Sequence, residues 1–264
     1  MKISEINFGV EIEFTGIHRK KIAELISKQF KVIHKKRGSI YEMDLGIDKI
    51  WKIVRDSSIR IENTVPIYEE DMYKNELVSP ICNLCDIKTV RKMVNLITNN
   101  GGLVNDSCGL HVHVGAEIHD LKSIPNMTIF WIVHQQLFIN HFNTTQKSLE
   151  RYCKILPTKL KENLLNYDNL SFEDFKKIWY QGYDDVPSRY NKSRYQTLNL
   201  NSLFTIGTAE FRIGKGSLDM KYIVEYIKFC LLINKKAIED EQMKYKQFDN
   251  MKQVLIYLNH EFNG

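Results

Sequence analysis

The sequence predicts an α+β fold in which a curved, mainly antiparallel sheet carries helices on its apolar face and keeps a polar concave face for a site. Three observations point that way. The strand-like segments alternate apolar and polar residues, whereas a parallel sheet covered on both faces reads as unbroken apolar runs. Acids and histidines fill the alternate positions of those segments. No glycine-rich phosphate loop follows the first strand, as a doubly wound nucleotide fold requires.

From Ile6 to Thr15 the alternation is strict, with Ile6, Phe8, Val10, Ile12 and Phe14 on one face and Asn7, Gly9, Glu11 and Glu13 on the other. That period of two is a half-buried strand. Ile22, Leu25, Ile26 and Phe30 then recur at helical steps, and Val32 and Ile33 lead to a turn at Arg37-Gly38. Lys49 to Glu62 reads as two short strands around the turn-forming trio Asp56-Ser57-Ser58. Glu76 to Pro80 is a strand closed by proline, which tolerates a strand end. Asp86 to Asn100 is an amphipathic helix stopped by Gly101-Gly102.

Leu110, Val112 and Val114 alternate with His111 and His113 in a third strand, and Pro125 opens an apolar helix running to about Phe142. Residues 144–190 are polar and mostly helical, with Ser171 and Asp174 as an N-cap pattern ahead of Phe172, Phe175 and Trp179, expected in a core. The strand pattern returns from Tyr195 to Ile213, a long helix starts at Asp219, and a last helix fills the C-terminus. With no internal repeat or linker, the 264 residues are expected to form one catalytic domain over 1–264, with a mostly helical insertion at about 144–190.

Composition excludes several classes. Hydrophobic residues are 43% and charged residues 26%, with only 13 glycines and 5 prolines, which rules out collagen-like and disordered chains. The longest apolar runs, such as Phe130 to Val133, fall far short of the ~20 residues of a membrane span. Met1 to Val10 has no export pattern and the five cysteines follow no disulfide spacing, so a cytoplasmic protein with reduced thiols is expected. A net charge of +5 suits anionic ligands such as nucleotides, and no nucleic-acid partner is expected.

Three strands each present a polar pair at i and i+2, about 6–7 Å apart on one face: Glu11/Glu13, His111/His113 and Glu210/Arg212. Clustered acids repel one another, and a divalent cation removes that conflict, carboxylates being the hard ligands that Mg²⁺ and Mn²⁺ prefer. Each pair alone also fits a solvated strand face, satisfied surface histidines or a surface ion pair. The three together mark the non-core face of the sheet as the site.

The chain resembles the amidoligase family, within the glutamine synthetase-like superfamily of carboxylate–amine ligases. The resemblance rests on ordered motifs: Phe8-Gly-Val-Glu-Ile-Glu-Phe14, Trp51 with Asp56-Ser-Ser58, Glu76-Leu-Val-Ser-Pro80, Cys108-Gly-Leu-His-Val-His-Val-Gly115, Arg194-Tyr-Gln-Thr-Leu-Asn-Leu200, and Thr208-Ala-Glu-Phe-Arg-Ile213 before Gly216-Ser-Leu-Asp219. Ser57 and Ser217 depart mildly from the family's usual Gly and Thr, and residues 144–190 carry no match.

The resemblance implies a glutamine synthetase-like catalytic fold and a ligase that uses ATP and Mg²⁺ or Mn²⁺ to join a carboxylate to an amine, on a peptide or a small amino-acid-like substrate. It implies metal ligation by Glu11, Glu13, Glu76, His111 and Glu210. It places His113, Asn199 and Ser58 beside the nucleotide, Arg194 on phosphates or a substrate carboxylate, Arg212 on the transferring phosphoryl group, and Asp56 in the site lining. Two alternatives stand beside it. A one-metal hydrolase or cupin-like enzyme would use His-X-His and a downstream Glu for Zn²⁺ or Fe²⁺, and an inactive module would keep nucleotide binding without turnover. Cys82-X-X-Cys85 lacks a second pair, Lys35-Lys36-Arg37 reads as a solvated turn, and His34, His119, His134, His141 and His260 have no partner at diagnostic spacing.

Overall fold

A computed structural model describes residues 1–61, 66–166, 170–184 and 186–258. In chain order, strand β1 (Phe8–Phe14) is followed by helix α1 (Arg19–Phe30), β2 (His34–Arg37), β3 (Ile40–Asp44), β4 (Ile50–Arg55), β5 (Asn75–Val78), α2 (Ile87–Asn99) and β6 (Gly109–Gly115). Then come α3 (Ser123–His141), α4 (Gln146–Arg151), α5 (Thr158–Leu165), α6 (Phe172–Trp179), β7 (Leu198–Asn199), α7 (Asn201–Ile206), β8 (Thr208–Lys215), α8 (Met220–Glu239) and α9 (Met251–Tyr257). The fold is α+β, and the registered strand pairs are antiparallel. The chain forms two compact units, one of residues 7–112 and 214–227, the other of residues 1–6, 113–213 and 228 onward.

In the first unit the strand order is β2-β3-β4-β5-β1-β6. Phe8, Val10, Ile12 and Phe14 of β1 are almost fully buried, as the period of two requires. Helix α1 packs on β2, β3 and β4 and against α2, burying Ile22, Ala23 and Ile26. Its start is capped by His18 Nδ1, which accepts from the Lys20 N–H (3.1 Å), and Lys31 ends it in the left-handed region at φ 56°. Helix α2 buries Val90, Met93, Val94 and Ile97 and stops where the Gly102 N–H bonds the Ile97 carbonyl (2.8 Å).

In the second unit the order is β6-β8-β7. Helix α3 buries residues all round its axis, including Met127, Phe130, Trp131 and Phe138, so it is a core helix rather than an amphipathic one. Trp131 lies edge-on to Phe211 of β8 at 5.1 Å, and its indole N–H bonds Thr197 Oγ1 (3.1 Å). Among the described residues of 144–190 lie three short helices, α4, α5 and α6, joined by irregular segments, and Ser171 caps α6 by accepting from the Asp174 N–H (3.1 Å).

Three expectations change, and one, the Arg37-Gly38 turn, is met and extended. Among the described residues no second strand follows the Asp56 turn: the Arg60 N–H donates to Ser107 Oγ (2.8 Å) and its carbonyl accepts from Asn105 Nδ2 (2.9 Å) instead of joining a ladder; Glu62 lies outside the described residues, as does His260. The Arg37-Gly38 turn proves to be the tip of a hairpin, β2 pairing with β3 at Arg37 and Ile40. Its all-polar strand His34-Lys-Lys-Arg37 carries no alternation, and its lysines suit an unpaired edge. The stretch Tyr195 to Ile213 is broken by α7, which Asn199 Oδ1 starts by accepting from the Asn201 N–H (2.9 Å) and Gly207 ends at φ +74°. Phe172 is 41% exposed, while Phe175 and Trp179 are buried as expected. Among the described residues no helix is long and apolar enough to cross a membrane.

Candidate functional site

The first unit gathers Glu11, Glu13, Asp56, Glu76 and His111. Register places Glu13 of β1 directly opposite Glu76 of β5, and like charges in that position repel. Glu11 and His111 meet through Nδ1 and Oε2 at 3.3 Å, and His111 Nε2 lies 3.9 Å from Glu13 Oε1. Asp56 sits at the turn after β4, where its Oδ1 accepts from the Ser58 N–H (2.6 Å). Two overlapping sets, Glu11/Glu76/His111 and Glu13/Asp56/Glu76, each bring one ligand atom per residue within 4.8 Å of the others.

The electrostatics follow from that crowding. Burial first, then the charges of Glu11, Glu13 and Asp56 and a hydrogen bond with Glu11, hold the Glu76 carboxyl well above the usual carboxylate range. A divalent cation among these oxygens reverses that penalty, and a set dominated by carboxylates suits a hard ion. The residues present therefore fit the metal that the motifs imply.

The second unit holds Glu210 and Arg212 on β8, His113 on β6 and Asn199 on β7. Both Glu210 oxygens are engaged, Oε1 by Arg212 Nη1 and Oε2 by Asn199 Nδ2, and Asn199 and Glu210 are register partners. Arg212, 8% exposed, also donates from Nε to the Tyr152 carbonyl (3.2 Å) and from its backbone N–H to the Thr197 carbonyl (3.0 Å). His113 bonds Thr208 Oγ1 through Nδ1 (3.0 Å), and its Nε2 stands 3.7 Å from Glu210 Oε1. Arg194 is turned elsewhere, donating to the Arg189 carbonyl (2.6 Å) and lying over the Tyr195 ring.

Three contributors escape a reading of charged pairs. The Gly109 N–H donates to Glu13 Oε2 (2.7 Å), and a Cβ at Gly109 would lie 2.8 Å from His111 Nε2; a glycine heading a strand is the available signal. Thr208, two residues before Glu210, orients the His113 ring. Buried Arg19 bonds Asn75 Oδ1 (3.1 Å) beside Glu76, and Asn75 Nδ2 bonds the Ile17 carbonyl (2.7 Å). Burial pushes the Cys108 and Cys153 thiols up to about 12 and Cys82 to about 11, so none of the three serves as a thiolate nucleophile.

No curated protein matches the chain significantly. The ordered motifs and the carboxylate cluster they build agree with a family-model match over residues 4–234, and by that match the chain belongs to the family described as putative amidoligase enzyme.

Proposed function

We propose that this amidoligase-family protein is an ATP-dependent ligase that joins a carboxylate to an amine through an acyl phosphate. The observation that carries the reading is the cluster of four carboxylates and one imidazole, Glu11, Glu13, Asp56, Glu76 and His111, whose mutual repulsion calls for a hard divalent cation. Mg²⁺ or Mn²⁺ held there would neutralise nucleotide phosphates and help offset charge in phosphoryl transfer. In the reaction, a substrate carboxylate oxygen bonds the γ-phosphorus as ADP leaves. The amine nitrogen then bonds the acyl carbon, inorganic phosphate leaves, and the amine gives up a proton.

The chain's own groups have defined tasks in this scheme. Glu11, Glu13, Asp56, Glu76 and His111 would hold the cation, and the Gly109 N–H fixes Glu13. Arg212 supplies a guanidinium to the transferring phosphoryl group, oriented by Glu210 and the Tyr152 carbonyl. Asn199 fixes the Glu210 carboxylate, which would be a further ligand, and His113, its ring set by Thr208, would contact the nucleotide together with Asn199. Ser58 and Arg194 are assigned to nucleotide or substrate contacts on the resemblance alone. A one-metal Zn²⁺ or Fe²⁺ enzyme fits less well, because both ligand sets are carboxylate-rich.

Isothermal titration with a non-hydrolysable ATP analogue tests the reading. Magnesium-dependent binding by the wild type, lost in Glu13→Ala, is expected, followed by amine-dependent phosphate release in a screen of acids and amines. Absence of nucleotide binding with and without Mg²⁺ would overturn it.

A further inference from the structure

The sheet of the first unit carries a row of register partners that leads away from the carboxylate cluster. Glu11 of β1 pairs with Val78 of β5, Val78 with Lys52 of β4, Lys52 with Glu42 of β3, and Glu42 with Lys35 of the edge strand β2. Residues directly opposite in an antiparallel ladder share a face, so these side chains lie on the face that holds the cluster. In the neighbouring row Glu13 pairs with Glu76 and Glu76 with Val54, and at the edge Arg37 pairs with Ile40. The alternate residues Tyr41, Met43, Trp51 and Ile53 are buried on the other face, where α1 packs.

Charge changes sign along the row. Acids crowd β1 and β5, whereas on β4, β3 and β2 the cations Lys52, Arg37 and Lys35 outnumber the acid Glu42 on that face. Glu42 is shared between two of them, its Oε2 3.1 Å from Arg37 Nε and its Oε1 3.8 Å from Lys52 Nζ. One carboxylate cannot neutralise three cations, so a net positive charge remains. The Arg37 and Lys52 side chains are 72% and 43% exposed. Ion pairs so exposed are weak, and a carboxylate arriving from outside can join or displace Glu42 at little cost. Ile40, Val54 and Val78, all half-buried, give apolar footing between the charges.

A strand spacing of about 4.8 Å sets Lys52 about 10 Å and Lys35 about 19 Å from Glu11 along the row. We infer that this row is the binding track for an acidic peptide substrate, held extended with its reacting carboxylate at the cluster. At about 3.4 Å per residue, acidic side chains about three and six residues from that carboxylate meet Lys52 and then Lys35 with Arg37. The inference rests on the ligase reading for which end of the peptide reacts; the charge-dependent binding does not.

The probe is a seven-residue peptide with Glu at its first and fourth positions, Ala elsewhere, a fluorophore on its amino end and a free carboxyl end. Its fluorescence anisotropy is followed with the full chain in Mg²⁺ buffer of low ionic strength. Saturable binding is expected, weakened about tenfold when Gln replaces both Glu. Lys52→Gln and Arg37→Gln should each weaken it about three- to fivefold. Lys36→Gln makes the same change in net charge on the other face, where Lys36 Nζ lies over the Tyr41 ring at 5.9 Å, and should leave affinity unchanged. Circular dichroism checks folding, and if one variant fails to fold the others decide. Absent binding by the wild type, equal affinity for the Gln peptide, unchanged affinity in both Lys52→Gln and Arg37→Gln, or an equal loss in Lys36→Gln overturns the track. So does a single-stranded oligonucleotide of equal charge that displaces the probe better than unlabelled peptide, which would assign the face to nucleic acid. If ligation of a carboxylate substrate is established and Lys52→Gln leaves its KM unchanged, the track falls while the ligase stands. Charge-specific peptide binding without nucleotide binding or phosphate release keeps the track and sinks the ligase.

Discussion

Glu13 and Glu76 face each other across β1 and β5, and their repulsion gives the site a measurable signature. Glu76→Gln keeps the shape and removes a charge, so without divalent ions it should stabilise the protein by up to about 1 kcal/mol. The same variant should lose metal-dependent stabilisation, both effects being read by thermal unfolding with and without Mg²⁺. Gly109→Ala should act in the other direction, since its Cβ would press on His111 Nε2; a loss of about 1–3 kcal/mol in urea unfolding is expected. Alternation in the sequence makes Glu11, Glu13, His111 and His113 legible as site residues. It cannot show that Glu13 meets Glu76, because register depends on how two distant segments pair, nor that Gly109 has a part, because a missing side chain leaves no chemical mark.

Helix α1 anchors the strand that carries Glu76. Arg19, 1% exposed, reaches Asn75, the Ser39, Asp71 and Lys74 carbonyls, and so joins the helix start to β5. Arg19→Leu strands these acceptors and should cost about 3–5 kcal/mol in urea unfolding. In α3, His134 donates from Nδ1 to the Phe130 carbonyl (2.9 Å) and accepts the Phe248 N–H on Nε2 (3.1 Å), an arrangement only the neutral ring can make. Burial holds the pKa of His134, and that of His119, below the ordinary 6.5. As pH falls below that value the unfolded chain takes up protons that the folded state refuses, so stability is full above it and declines towards the lowered folded values. Thermal unfolding from pH 8 to 5 should show this decline, and His134→Gln should flatten part of it while His119 keeps the remainder. Helices α1, α2 and α3 are legible from periodicity because burial of a face imposes it. The β2–β3 hairpin and α7 are not, since polar edge strands and a six-residue helix carry too little pattern.

At the scale of the whole molecule, a cation bound only by the folded state shifts the unfolding equilibrium by mass action. Mg²⁺ or Mn²⁺ at about a hundred times its Kd should add about 2.7 kcal/mol and raise Tm by about 5–10 °C, and Glu13→Ala should remain nearly unmoved in the same differential scanning measurement. The sequence by itself determined the α+β class, the polar strand faces and the family, because strand periodicity and ordered motifs are local properties of the chain. Only the tertiary structure decided that Asp56 and Glu76 join Glu13, that Arg212 and Asn199 share the Glu210 carboxylate, and that Lys52 and Lys35 share a register row with Glu11. Those facts depend on strand register and on packing between segments far apart in the chain, where the energy of each contact comes from partners that no local pattern names.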